Sequence, residues 1–260
     1  MKTKNSINEI RKLIKLRDKY KNLVDVTFYI PCLNEGNVIY QTLSKIKKCL
    51  SQTRFSYEFL IYNDGSTDNS LLEINRFKKD NPNLLINIIN LKKCRGLGYN
   101  YIDGAHKGIG KYYMMICGDN SETEDSLIDI LTNMGSAEII IPYFGFGDQR
   151  QLSRILLSLC FTKIVNLING KKINYYNGVV LHLRENVSRY GPSSSGFGYQ
   201  AELISILLLH NKTYKHISIS NNDRELGISR AFKIKNFFSV AHSLLQILFR
   251  RIRNEIWPIN

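Results

Sequence analysis

The 260-residue chain has no C-x-x-C pair and no histidine pair at metal-ligand spacing. Its five cysteines, Cys32, Cys49, Cys94, Cys117 and Cys160, are odd in number and far apart. That pattern argues against a disulfide framework or a structural zinc site and fits a reducing cytoplasm. Proline is scarce, at 5 residues, and 22% of residues are charged, so collagen-like, disordered and polytopic membrane classes are excluded. Neither an RNP-like nor a helix-turn-helix pattern occurs, and no nucleic-acid partner is expected. Acids are the other shortage: 22 Asp+Glu face 36 Lys+Arg, a formal net charge of +14.

What is present is a 43% hydrophobic composition in a chain long enough to bury a sizeable core. The positive charge sits at the two ends, where residues 1–22 and 205–260 together hold +12 of the +14. Such a field suits nucleic acid, an anionic membrane surface or an acidic small substrate, and charge alone does not choose. In residues 1–22, Ile7, Ile10, Leu13, Ile14 and Leu16 recur at helical spacing, which predicts a basic amphipathic helix and not a signal peptide.

From Leu23 onward, apolar runs alternate with polar turns and helical patterns. Strands are predicted at LVDVTFYI, YEFLIYN, LLINIINL, KYYMMIC and AEIIIPYF, each followed by a helical stretch. That alternation predicts an α/β fold with a doubly wound, mostly parallel sheet flanked by helices. After Gly147 come a long amphipathic helix near 150–168, the strand-like YYNGVVLHL, the loop GPSSSGFG, a helix from Tyr199 and the strand TYKHISIS. Residues 23–147 are taken as a nucleotide-binding half and 148–230 as an acceptor half of one domain. Residues 231–260 carry a helical stripe from Ile234 to Ile252, with Arg250, Arg251 and Arg253 beside it and Trp257 near the end. Its uncharged core, Asn236 to Phe249, is too short to span a bilayer, leaving two readings: a helix lying on an anionic membrane, or one covering the sheet.

Ligands of open α/β sheets bind at the carboxyl ends of strands. Those ends carry Pro31-Cys32-Leu33-Asn34-Glu35, then Asn63-Asp64-Gly65-Ser66-Thr67-Asp68, then Cys117-Gly118-Asp119-Asn120. A carboxylate at Asp64 can accept the imide N–H of uracil or the N1–H and amine of guanine. The competing assignment for Asp64 and Asp68 is an Asx-turn with a helix N-cap, favoured for Asp68. For Asp119 it is a loop acid capping the helix that starts near Glu124.

IPCLNEGNVI, YNDGSTDNS, RGLGYNYIDGAHKG and RELGISRAFK occur in this order, and across residues 23–235 the chain resembles the family 2 glycosyltransferases of the GT-A fold, especially their polyprenyl-phosphate-sugar synthase-like branch. The resemblance implies a UDP- or GDP-sugar donor, a polyprenyl phosphate or saccharide acceptor, a divalent cation (Mg2+ or Mn2+), inversion, and a place in the cytoplasm, peripheral on the inner face of a membrane. It places Pro31, Leu33 and Glu35 around the nucleoside, and Arg224, Ser229 and Arg230 on the donor diphosphate or an acceptor phosphate; the R-G-L-G that begins at Arg95 is read from the residues either as a phosphate-cradling loop at a helix start or as a tight turn. The family's D-x-D aligns with Cys117 and Asp119, so Asp119 is the expected metal ligand and one carboxylate is missing. Glu202 falls where many inverting relatives place a general base, unless the acceptor is an already anionic lipid phosphate; a solvent-facing helix residue is its other reading. Arg150 and Arg154, one turn apart, face either the cleft or solvent. The competing function is a non-catalytic, membrane-surface or RNA-binding protein built on the same scaffold.

Overall fold

The computed structural model describes residues 24–119, 122–145, 148, 151–194, 196, 198–220 and 234–257, with side chains of the last stretch described from 239. The predicted helix over 1–22, along with Asn120, Arg150, Arg224, Ser229 and Arg230, lies outside the described residues.

Seven strands form one sheet: β1 (Val26–Cys32), β2 (Tyr57–Asp64), β3 (Leu85–Leu91), β4 (Tyr112–Met115), β5 (Ile139–Phe144), β6 (Leu181–Leu183) and β7 (Tyr214–Ile219), in the order β3-β2-β1-β4-β6-β5-β7. All neighbours are parallel except β6, which runs antiparallel to both β4 and β5. β1 is apolar along its whole length because both faces are covered, the mark of a central parallel strand. Val26, Phe28, Ile30 and Cys32 point into one core, while Tyr29 points into the other.

The first core is closed by α1 (Ile39–Leu50), α2 (Ser70–Asp80) and α4 (Glu124–Thr132). α1 buries Ile39, Leu43, Ile46 and Cys49, the helical spacing of one face. α2 stops at Asp80 because Pro82 disfavours helical backbone in the residue before it. Thr123 caps α4 by accepting a hydrogen bond from the Ser126 amide.

The second core lies under α3 (Leu97–Lys107), α5 (Leu152–Asn169), α6 (Arg184–Arg189), α7 (Tyr199–Leu209) and α8 (Ile234–Ile256). Tyr29, Tyr62, Tyr101, Tyr113 and Tyr199 stack there, with Tyr101 4.8 Å from Tyr113 and 4.9 Å from Tyr199 between ring centroids. The Tyr113 hydroxyl donates to the Tyr101 carbonyl, which fixes α3 on β4. α5 ends at Gly170, whose φ of 61° is the left-handed conformation glycine supplies cheaply.

Candidate functional site

β1 lies between β2 and β4, and the chain order reverses there, so the ends of these three strands make one rim. Hydrogen bonds lace the exits of β1 and β2 together. Asn34, at φ 55°, accepts from the Thr67 amide through its side chain and donates its own amide to Ser66 Oγ. Glu35 N–H goes to Ser70 Oγ, and Gly36 N–H goes to Asp68 at 3.0 Å. Asp68 also accepts from the Ser70 amide, so it anchors the loop at the start of α2 and tethers Gly36. Burial pushes its carboxyl up, but the bonds from Ser70 and Gly36 together outweigh this and hold it below the usual carboxylate range. The Asx-turn half of its favoured assignment agrees with these contacts, but the N-cap half does not, because Asn69 and not Asp68 is the cap residue of α2.

Asp64 is placed differently. It is buried at the end of β2 and caps no helix, unlike its competing assignment. Its Oδ1 accepts the Arg95 amide at 2.9 Å, and its Oδ2 takes the Gly96 amide at 3.3 Å and Cys94 Sγ at 3.1 Å. The carboxylate thus pins the β3–α3 loop to β2. Gly65, at φ 78°, lets that loop close: a Cβ there would lie 2.8 Å from the Cys94 amide nitrogen. The amides of Arg95 and Gly96 are therefore given to Asp64, while the exposed Arg95 guanidinium lies 4.0 Å over the Tyr99 ring.

Cys117, Gly118 and Asp119 follow β4. Gly118 sits against the end of β1, where an added Cβ would be 2.9 Å from the Pro31 carbonyl, and its own carbonyl accepts from Thr42 of α1. Asp119 is half-buried and does not cap α4, since Thr123 does. Lys45 of α1 donates to the Glu122 carbonyl. Burial pushes the Lys45 ammonium down, against the pull of Glu122, Glu124 and Asp119.

Glu202 is not a solvent-facing residue. It lies on α7, which is buried nearly all round, and its side chain is 0% exposed. Oε1 accepts from the Ser193 amide (3.0 Å), Ser193 Oγ (2.8 Å) and Arg250 of α8 (3.1 Å), and Oε2 accepts from the Ser194 amide at 3.0 Å. Burial pushes the carboxyl up, but the bonds from Ser194 and Ser193 more than offset it and leave it below the ordinary value. Ser243 of α8 donates to Ser194 Oγ, and Gly196 and Gly198 lie under Ser239 and Ser243. The loop before α7 and the C-terminal helix are one packed unit.

The sequence profile of glycosyl transferase family 2 matches residues 27–179, more than half of the chain. The chain belongs to this family. Among similar proteins, a dolichyl-phosphate beta-glucosyltransferase of Dictyostelium discoideum is 28% identical over 92% of this glycosyltransferase and 79% of the relative. A hyaluronan synthase of Pasteurella multocida is 40% identical over 29% of the chain but only 8% of its own length. A poly-beta-1,6-N-acetyl-D-glucosamine synthase of Staphylococcus epidermidis is 26% identical, and the chain spans 26% of it. The chain thus covers only a small part of these two polymer synthases. The glucosyl-3-phosphoglycerate synthase of Mycobacterium tuberculosis, solved with Mn2+, UDP and phosphoglyceric acid, superposes with a TM-score of 0.65 at 12% identity, over 90% of this chain and 81% of that one. The mannosyltransferase of Pyrobaculum calidifontis, solved with GDP-Man and Mn2+, does so with a TM-score of 0.61 at 12% identity, over 90% of this chain and 66% of that one. The fold is GT-A, as expected.

Within this glycosyltransferase the strand ends bring Asp64 to the Arg95 amide and set Gly118, next to Asp119, against Pro31, whereas Glu202 is held by Ser193 and Ser194. Among the described residues no group of three or more His, Cys, Asp or Glu side chains is arranged to hold a metal. A lone carboxylate suits a cation that arrives on a diphosphate, because Mg2+-type ions are commonly held by one or two carboxylates plus substrate phosphates. Ser193 and Ser194 were not singled out from sequence, and Arg250 was named only as a basic residue beside the C-terminal stripe, not as a partner of Glu202. The available signal was Glu202 itself: an acid in the all-apolar helix YQAELISILLL must be buried and must therefore have partners.

Proposed function

We propose that this glycosyltransferase moves a sugar, with inversion, from a UDP- or GDP-sugar to a polyprenyl phosphate. The observation that carries the reading is the rim at the β2–β1–β4 ends, with Asp64 closing β2 and Asp119 in the segment that follows β4, the two strands flanking β1. Among the described residues Asp64 Oδ1 accepts one bond, from the Arg95 amide, which leaves it a lone pair for the base N–H. Pro31, Leu33 and Glu35 border the same place. Asp119 is the residue positioned to hold Mg2+ or Mn2+, which would offset the charge that develops on the leaving diphosphate.

The acceptor oxygen attacks the anomeric carbon opposite the nucleotide. The new C–O bond forms as the bond to the β-phosphate oxygen breaks, and the diphosphate departs with that electron pair. A phosphate acceptor is already anionic and needs no base. This fits the committed state of Glu202, whose carboxylate an acceptor hydroxyl reaches only by displacing the Ser193, Ser194 and Arg250 donors. Similarity to the dolichyl-phosphate glucosyltransferase over most of the chain supports the same acceptor class.

The test is donor turnover with Mn2+ and a short-chain polyprenyl phosphate. Wild type should form the lipid-linked sugar, and Asp119→Ala should abolish metal-dependent turnover with a nearly unchanged melting temperature. No turnover above the Asp119→Ala control with any UDP- or GDP-sugar would favour the non-catalytic scaffold.

A further inference from the structure

α5 is built with its apolar residues on the outside. Leu152, Leu156 and Leu167 are 78%, 62% and 84% exposed, and Leu159 and Ile164 join the same exposed face. The opposite face holds the helix down: Phe161 and Val165 are buried, and Asn169 donates to Ser205 of α7 at 2.8 Å. By length and composition α5 is apolar enough to cross a membrane, yet one side of it belongs to the protein core.

α8 packs against α5 and repeats the arrangement. Ser243 and Ile247 are buried, and Leu245, Phe249, Ile252 and Ile256 recur at the i, i+4, i+7, i+11 spacing of an exposed stripe. One side of the C-terminal helix therefore packs on the protein, and the other presents this stripe. Trp257, 70% exposed, closes the stripe. Two adjoining helices with outward apolar stripes form more exposed apolar surface than scattered single residues account for.

Charge identifies what covers it. α5 has no acid and carries Arg154 and Lys163, while α8 carries Lys235, Arg250, Arg251 and Arg253 against the single acid Glu255. A second copy seated on this face would set basic residues against their own kind. An anionic bilayer takes the leucines into its acyl boundary and the exposed Arg253 and Lys163 among its headgroups, with the lysine stem lying along the apolar surface, while Arg250 is held inward by Glu202 and Arg251 pairs with Glu255. We propose that α5 and α8 together form a membrane-docking face that lies flat on an anionic bilayer. On its other side α8 holds Ser193 and Ser194 through Arg250 and Ser243, so the helix that carries the stripe also supports the start of the loop before α7.

The probe is vesicles of phosphatidylcholine with and without phosphatidylglycerol, using the full chain. Flotation with the anionic vesicles at low salt, reduced as salt rises, is expected. Trp257 is the single tryptophan, so its emission should shift to the blue on binding and be quenched by brominated lipid. Leu156→Glu and Leu167→Glu should each weaken partitioning by about ten-fold or more while leaving the melting temperature in place. A chain that stays out of the floating fraction with anionic vesicles at low salt, or a Trp257 spectrum unmoved by them, overturns the proposal. So does a concentration-dependent dimer that these substitutions dissolve without changing vesicle partitioning. No outcome depends on donor or turnover, so this face stands or falls separately from the proposed reaction.

Discussion

Replacing Glu202 with glutamine separates two roles, base and clamp. Glutamine keeps one oxygen for Ser193 and Arg250 but turns an amide donor toward the Ser194 N–H, so the bond at 3.0 Å becomes donor against donor. A charge-assisted bond of this kind is worth roughly 1.5–3 kcal/mol. Losing the ion pair to Arg250, whose side chain is 37% exposed, adds less than about 1 kcal/mol. A total near 3 kcal/mol corresponds to a fall of about 6–12 °C in Tm for a chain of this size. Urea and thermal melts should show that loss, and kcat with polyprenyl phosphate, measured well below the variant's Tm, should fall much less than the about 10²–10⁴ expected for a lost general base. The difference also depends on pH in a fixed direction. The folded carboxyl lies below its ordinary value of 4.5, so its stabilisation is present above 4.5 and disappears as pH falls through the folded value. Wild type and Glu202→Gln should therefore converge in acid. A variant that melts like wild type but has lost turnover by 10²-fold or more would refute the clamp and restore the base.

Asp64→Ala should weaken nucleotide binding by roughly 1.5–3 kcal/mol in calorimetry, and it should also free the 93–96 loop; unchanged affinity would remove Asp64 from the base site. Gly65→Ala forces a left-handed backbone and a contact with the Cys94 amide, so urea melts should show a loss of about 1–3 kcal/mol, and wild-type stability would contradict the packing of that loop. His182 is fully buried between β4 and β5, and burial pushes its pKa down to about 3. The unfolded chain binds the proton first, so stability should decline as pH falls from 6.5 toward 3, and His182→Gln should flatten that decline in pH-dependent melts.

Local pattern carried most of the elements. The YEFLIYN run became β2, and SLLEINRFKKD became α2 over Ser70–Asp80 because a helical apolar face ends there at Asn-Pro. The six-residue α6 has too few turns to show a period, and it was not foreseen. Strand order was also hidden, since placing β6 between β4 and β5 is a pairing between residues far apart in the chain. At the site, residue types and strand ends located Asp64 and Asp119. The partners of Asp64 come from 30 to 32 residues away, and those of Glu202 from as far as 48, distances over which spacing carries no signal. Asp119 as a cap failed because Thr123, nearer the helix start, has the hydroxyl for that task.

The insertion of β6 sets the order in which the protein can be completed during synthesis. When the ribosome has released β1 to β5, β4 and β5 have no strand between them, because the one that joins them is still residues 181–183. The β3-β2-β1-β4 half can assemble with an open edge at β4, but the β5 segment must wait about 40 residues for its partner on that side. Chains cut anywhere between 145 and 180 are thus expected to expose the open edge of β4 and a β5 segment unpaired on both sides, since β7 is also still to come, and such edges recruit other strands into aggregates. Completion of the sheet is a late, long-range event, and nascent chains stalled just before β6 are where chaperones should bind most.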